Sequence, residues 1–202
     1  MDFAEVTLPE NILSGSPVDL FKALLSTGKL NGGPLFMSVD LKLLDQVFVD
    51  KYGEIFGWHL KDSHRSLMTD VVNNPKFEFS YFDRMTKYFG INQLEHVLDS
   101  LRRKDFRKNM IVTWDPKIDL GSNSLIPCLT ALSFNVSDSA LNMGVLFRSR
   151  DVVRRLIPNW SALKYMQTRI SESEGFRCGT LADFSFQWFY RQEDYEKIRP
   201  IL

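Results

Sequence analysis

Apolar residues recur at helical spacing in several stretches of the chain. Leu20, Phe21, Leu24 and Leu25 follow Ser16-Pro17-Val18-Asp19. A capping side chain and an early proline ahead of a 3.6-residue period start a helix, and Gly32-Gly33-Pro34 breaks the pattern. Leu44, Val47 and Phe48 predict a second helix over 41–49, whereas the aromatic, glycine-bearing stretch 52–59 fits strand or turn equally. Ile91, Leu94, Val97, Leu98 and Leu101 predict an amphipathic helix ahead of Arg102-Arg103-Lys104-Asp105. Asn159, placed as an N-cap before Trp160, Leu163, Met166 and Ile170, predicts another.

Between these helices the period shortens. Met110 to Trp114 is a short apolar run, and it should end at Asp115-Pro116 because proline cannot donate to a central ladder. After a loop over 117–124, residues 129–136 and 140–147 alternate around Ser137-Asp138-Ser139, an antiparallel hairpin with Cys128 at its mouth. Phe184, Phe186 and Trp188 alternate as a last strand. Helices and mostly antiparallel strands in this order predict an α+β fold. With 202 residues and no repeat or low-complexity linker, one domain over 1–202 is expected.

Composition narrows the function. Lys+Arg and Asp+Glu number 25 each, so the basic surplus of a duplex-binding protein is missing and no DNA partner is expected. The early residues carry acids and no Lys or Arg before Lys22, and no apolar run is long enough to span a bilayer. A cytoplasmic protein without membrane contact is expected. Cys128 and Cys178 lack the clustering of a zinc site or a disulfide scaffold, so no metal is predicted and either cysteine would act as a thiol. His59, His64 and His96 read as surface or packing residues.

Several motifs then fall in a fixed order: Lys108-Asn109-Met110-Ile111-Val112-Thr113-Trp114-Asp115, Pro127-Cys128, Arg148-Ser149-Arg150-Asp151, and Asn159 eight residues beyond Asp151. This order resembles the thymidylate synthase and pyrimidine nucleotide hydroxymethylase family, as a short, divergent member. There a Pro-Cys carries the nucleophile and Arg-Ser-x-Asp precedes an Asn by eight. Tyr81, Ile91-Asn92-Gln93-Leu94 and Trp188-Phe189-Tyr190 resemble the family's Tyr-Gly segment, Asp-Gln helix start and His-x-Tyr. The likeness is strongest over 80–195, and 1–75 diverges. It implies a mixed sheet with flanking helices, shortened at both ends, and a homodimer formed through the sheet.

The resemblance also implies a chemistry, transfer of a methyl or hydroxymethyl group to C5 of a pyrimidine nucleoside monophosphate. C5 becomes nucleophilic once a thiolate has added to C6, and Cys128 is the matched nucleophile. Tyr81 matches a proton-relay tyrosine. Arg148 and Ser149 would hold the phosphate, with Arg107 and Lys108 reaching in from the second subunit. Asn159 would read a uracil-type base through its amide, Tyr190 would contact the ribose, and Asp151 would face 5,10-methylenetetrahydrofolate.

Ordinary structural roles stand beside these. Arg148 and Asp151 fit an i,i+3 surface pair, Tyr81 a core aromatic, and Arg107-Lys108 a solvated charge run. Leu129 and Trp188 stand where the family has histidines, so ribose and deoxyribose both stay open. Glu54 and Trp58 are loose substitutes for a glutamate-and-tryptophan wall, and the family's closing tail is expected to be absent. These departures give the alternative, a non-catalytic scaffold that binds a nucleotide or a protein.

Overall fold

The computed structural model describes residues 12–57, 80–121 and 126–202. Its elements in chain order are β1 (Ile12–Gly15), α1 (Pro17–Ser26), β2 (Asn31–Gly32), β3 (Leu35–Val39), α2 (Gln46–Phe56), α3 (Tyr81–Thr86), α4 (Gln93–Arg102), β4 (Met110–Val112), α5 (Pro116–Asp119), β5 (Leu129–Ser137), β6 (Ala140–Phe147), β7 (Arg150–Asp151), α6 (Val152–Glu174), β8 (Arg177–Ser185), β9 (Trp188–Phe189) and α7 (Gln192–Ile198).

The expected hairpin, β5 and β6, lies inside a six-stranded sheet of order β1-β3-β8-β6-β5-β4. Its β1–β3 and β6–β8 pairs are parallel and the rest antiparallel, which makes the α+β sheet mixed. One face carries Leu35, Met37, Val39, Ile111, Leu132, Phe134, Met143, Val145, Phe147 and Leu181, all buried. Against it packs α6, whose Val152, Val153, Leu156, Ile157, Trp160 and Leu163 are fully buried, together with Phe21 of α1 and Tyr52 of α2. A second sheet, β2-β9-β7, sits beside the carboxyl end of β6.

Three expectations about elements are corrected. Residues 41–49 do not form one helix: Asp40 caps a 3-10 turn at Leu41–Leu43, and Asp45 starts α2 afresh by accepting the Val47 N–H. Asn159 is not an N-cap. Asp151 caps α6 eight residues earlier, and Pro158 lies inside the helix, where it forfeits one N–H while its buried neighbours hold the turn. The last strand splits after Ser185, so Trp188 belongs to the small sheet and Phe186 to the connection.

Other starts agree with the sequence: Ser16 caps α1, and Asn92 caps α4 through the Glu95 N–H. The strand from Met110 stops at Val112, two residues short of the predicted run, and the expected loop begins instead as a short helix, which Asp115 opens with Pro116 at its first position. Beside β4, the Gln93 side-chain amide accepts the Val112 N–H and donates to the Val112 carbonyl, both at 2.9 Å.

Candidate active site

Cys128 is half-buried at the entrance to β5 and carries a free thiol. The Cys128 and Leu129 backbone N–H groups both donate to the Tyr81 phenol oxygen, at 3.0 and 3.1 Å. Burial pushes the Tyr81 hydroxyl up to about 12; the neighbouring Cys128 adds to the rise, and the two N–H bonds oppose it. Tyr81 is therefore a protonated phenol at neutral pH. Two donors occupy its oxygen, which leaves its hydrogen to give.

Tyr81 owes its position to a rooted helix. A capping box between Ser80 and Asp83 starts α3. One turn on, the buried Arg84 makes two bonds to Asp119, at 2.8 and 2.9 Å, and a third to the Thr113 carbonyl at 2.8 Å. The Thr113 hydroxyl donates in turn to the Leu129 carbonyl. Leu129 itself is fully buried, so an apolar side chain faces the core where the resemblance implied a histidine facing a base.

Arg148 flanks Cys128 on the other side, its N–H donating to the Cys128 carbonyl at 2.7 Å. Its side chain is exposed and pairs with no carboxylate among the described residues, so the expected i,i+3 pair with Asp151 does not form. Ser149 beside it is half-buried. Asp151 accepts the Arg154 N–H at 2.9 Å as the cap of α6. Burial raises its carboxyl above the usual range, partly opposed by that N–H, while Asp194 nearby adds to the rise. Tyr52 of α2 is close enough to feel both acids.

Asn159 is half-buried two turns along α6, and its neighbour Trp160 is fully buried. Tyr190 is 5 % exposed and stacks on Trp188, rings 6.5 Å apart and 13° from parallel, with Tyr195 on its other side. Pairing of β7 with β9 sets Arg150 opposite Trp188 and Asp151 opposite Phe189. Arg107 and Lys108 are exposed before β4. Arg107 is held by Asp105, and no hydrogen bond or ion pair joins either residue to Cys128 or Arg148 among the described residues. His96 and Glu54 are exposed, whereas Trp58, His59 and His64 lie outside the described residues.

The sequence did not single out two pairings. Arg154 makes bidentate bonds to Asp194 at 2.6 and 2.8 Å, which tie α7 to the turn after Asp151. Arg150 and Trp160 converge on Asp183. The available signal for the second was an acid at a core-facing position of an alternating strand. Among the described residues no group of His, Cys, Asp or Glu could hold a metal, and no helix is long and apolar enough to cross a membrane.

The chain is similar to proteins of one family. The family profile for thymidylate synthase fits residues 40–192. A protein named "Putative thymidylate synthase" from Methanopyrus kandleri is 33% identical over 120 residues, covering 58% of this chain and 57% of that protein. One of the same name from Methanococcoides burtonii is 26% identical over 172 residues, covering 83% and 78%. The chain thus spans less than two thirds of the first of these relatives. The crystal structure of thymidylate synthase from T4 phage superposes with a TM-score of 0.62 at 16% identity, over 91% of this chain and 79% of that one. The fold is that of thymidylate synthase, and the chain belongs to the thymidylate synthase family.

Proposed function

We propose that the protein is a pyrimidine nucleotide C5 one-carbon transferase, acting as one thymidylate-synthase-like domain, in which Cys128 is the nucleophile. The observation that carries this reading is the clamp on Cys128. The Tyr81 oxygen holds the Cys128 and Leu129 N–H groups, and the Arg148 N–H holds the Cys128 carbonyl. The Arg148 bond continues the β5–β6 ladder, whereas the Tyr81 bonds bring a protonated phenol beside the half-buried cysteine.

The thiolate adds to C6, and electron density moves to C5, which can then attack an electrophile. The Tyr81 hydroxyl, bonded to the Cys128 N–H, would give its hydrogen to steady the charge on the sulfur before addition. Departure of the C5 proton restores the double bond and expels the thiolate. The Arg148 guanidinium, exposed and without a carboxylate partner among the described residues, and Ser149 suit a phosphate. Asn159 suits the edge of a uracil-type base, and Tyr190 the sugar. Trp188 lies across Gly32, its indole filling the space where a side chain on that glycine would sit, so it closes the sugar side without offering an acceptor.

The donor set fits a folate. Asp151 spends one carboxylate oxygen on the Arg154 N–H, and its second oxygen suits the N–H groups of a pterin. Methylenetetrahydrofolate, when bound, supplies an electrophilic one-carbon unit. Its carbon–nitrogen bond would break on transfer with the folate amine as leaving group; a methyl product would also take a hydride from the tetrahydrofolate, whereas capture by water would give hydroxymethyl, so water exclusion favours the methyl product.

The outer face of the large sheet supports a homodimer. Phe36, Leu146 and Phe184 point outward there around a shallow depression of about 260 Å³ floored by Ala131, Gly144 and Ala182. A second copy on that face would bring its own Arg107 and Lys108 toward the phosphate.

The test is tritium release to water from 5-tritiated dUMP, UMP, dCMP and CMP, with and without methylenetetrahydrofolate. Release that Cys128→Ser abolishes supports the reading, and the preferred nucleotide names the substrate. A folded protein that releases none overturns it and leaves the non-catalytic scaffold.

A further inference from the structure

Asp183 lies near the carboxyl end of β8, two residues before Ser185, and is fully buried. One of its oxygens, Oδ2, accepts from two groups that come from different segments. The Arg150 Nη1–H donates to it at 2.7 Å, and the Trp160 Nε1–H donates to it at 2.7 Å. Arg150 follows Arg148 and Ser149 directly, and Trp160 follows Asn159. One oxygen therefore ties the proposed phosphate-holding segment and the proposed base-reading turn to the same strand.

Stability alone does not account for the trio. Arg150 is 1 % exposed and lies over the Phe147 ring, 3.4 Å from its centre. Its Nε and Nη2, Oδ1 of Asp183 and Oγ of Ser185 are buried with no partner among the described residues. A buried ion pair with unanswered donors gains less from its attraction than desolvation costs, and apolar side chains of the same volume would serve the core as well or better. What apolar side chains cannot do is fix direction. Between the Arg148 N–H bond to Cys128 and the Asp151 cap of α6, the segment has short ladders to hold it: β7 is two residues long, and the Arg150 N–H bonds to the Gln187 carbonyl in a connection.

We propose that Asp183 is a positioning residue for the nucleotide site, aligning Arg148 and Ser149 through Arg150, and Asn159 through Trp160. The proposal rests on the function read above. It acts on binding because both segments must meet one rigid ligand at once, and a displacement of about 1 Å at such contacts costs on the order of 10-fold or more.

Two variants test it. Trp160→Phe removes the N–H together with part of a buried ring, so its melting temperature is read beside its affinity. The triple change Arg150→Met/Asp183→Leu/Trp160→Phe replaces the whole trio with apolar groups. For each, thermal melting, dUMP and UMP binding by calorimetry, and amide hydrogen exchange of peptides spanning 148–151 and 132–145 are measured. The expected result for the triple variant is a melting temperature equal to or above that of the parent. With it come nucleotide affinity lower by about tenfold and faster exchange confined to 148–151; Trp160→Phe shows a smaller loss of affinity. Unchanged affinity and exchange in both variants overturn the proposal. A lower melting temperature with faster exchange everywhere also overturns it, because the trio would then be ordinary scaffolding. If the parent protein binds neither nucleotide, the functional reading fails, while exchange at 148–151 still decides whether Asp183 fixes that segment. A triple variant that does not fold leaves the decision to Trp160→Phe.

Discussion

At the scale of single residues, Asp151 shows two demands on one side chain. As the cap of α6 it needs only an oxygen near the Arg154 N–H, which an asparagine supplies equally well. As a half-buried carboxylate it carries a charge that burial disfavours, and its pKa in the fold is raised. The native state therefore holds this proton more tightly than the unfolded chain does. The penalty appears as pH rises through the unfolded value and is complete above the folded one. Asp151→Asn should raise the melting temperature at pH 7, by up to about 3 °C. The gain should vanish below the ordinary carboxylate range, which melts across pH will show. Folate-dependent turnover should fall at the same time, because a pterin N–H then meets an amide instead of an anion. Cys128 and Tyr81 could be reached from the sequence through the order of motifs alone. No local pattern separates Cys128 from a packing cysteine, and the phenol that accepts its N–H lies 47 residues away.

At the scale of elements, helix starts were legible wherever a capping side chain preceded the apolar period, as at Ser16 and Asn92. They were misread where two caps competed. Pro158-Asn159 has the form of a start, but Val152, Val153, Leu156 and Ile157 bury an earlier turn, and that packing outweighs one lost hydrogen bond. The docking of α7 was not legible at all, because Arg154 and Asp194 stand 40 residues apart and each looks like a surface charge. The hydrogen bond from Arg154 lowers the Asp194 pKa, so its stabilisation is present above the unfolded value and is lost as pH falls through the folded one. Asp194→Asn should cost about 1–2 kcal/mol at neutral pH, the lower part of the range for a charged hydrogen bond because Arg154 is 38% exposed. The variant's stability should also vary less below about pH 4. Urea unfolding across pH measures both effects, and an unchanged midpoint at pH 7 would mean that α7 docks through its apolar contacts, Ile198 and Tyr195, without the ion pair.

At the scale of the whole molecule, the two faces of the large sheet divide the work. The inner face buries its core against α6, and the outer face presents Phe36, Leu146 and Phe184. The alternation behind these faces was legible in β5, β6 and the end of β8, whereas β3, which carries Phe36, is five residues long after a Gly-Gly-Pro break and was not read as a strand. The strand order that sets Phe36 opposite Phe184 was not, since it joins segments far apart in the chain. Phe184→Asp should leave the fold intact and halve the mass seen by light scattering. Nucleotide affinity should fall with it as the partner's basic residues are withdrawn; retention of the parental mass would remove this face from the assembly.

The amide of Gln93 decides how copies of this protein can meet at the β4 end of the sheet. By answering both the N–H and the carbonyl of Val112, it acts as one residue of an absent neighbouring strand. An incoming chain finds that rung already occupied, so growth by strand addition, the first step toward a fibre, is blocked there. The outer face of the sheet is a different kind of surface: stacking of sheet on sheet there would stop at two copies, as the proposed homodimer requires.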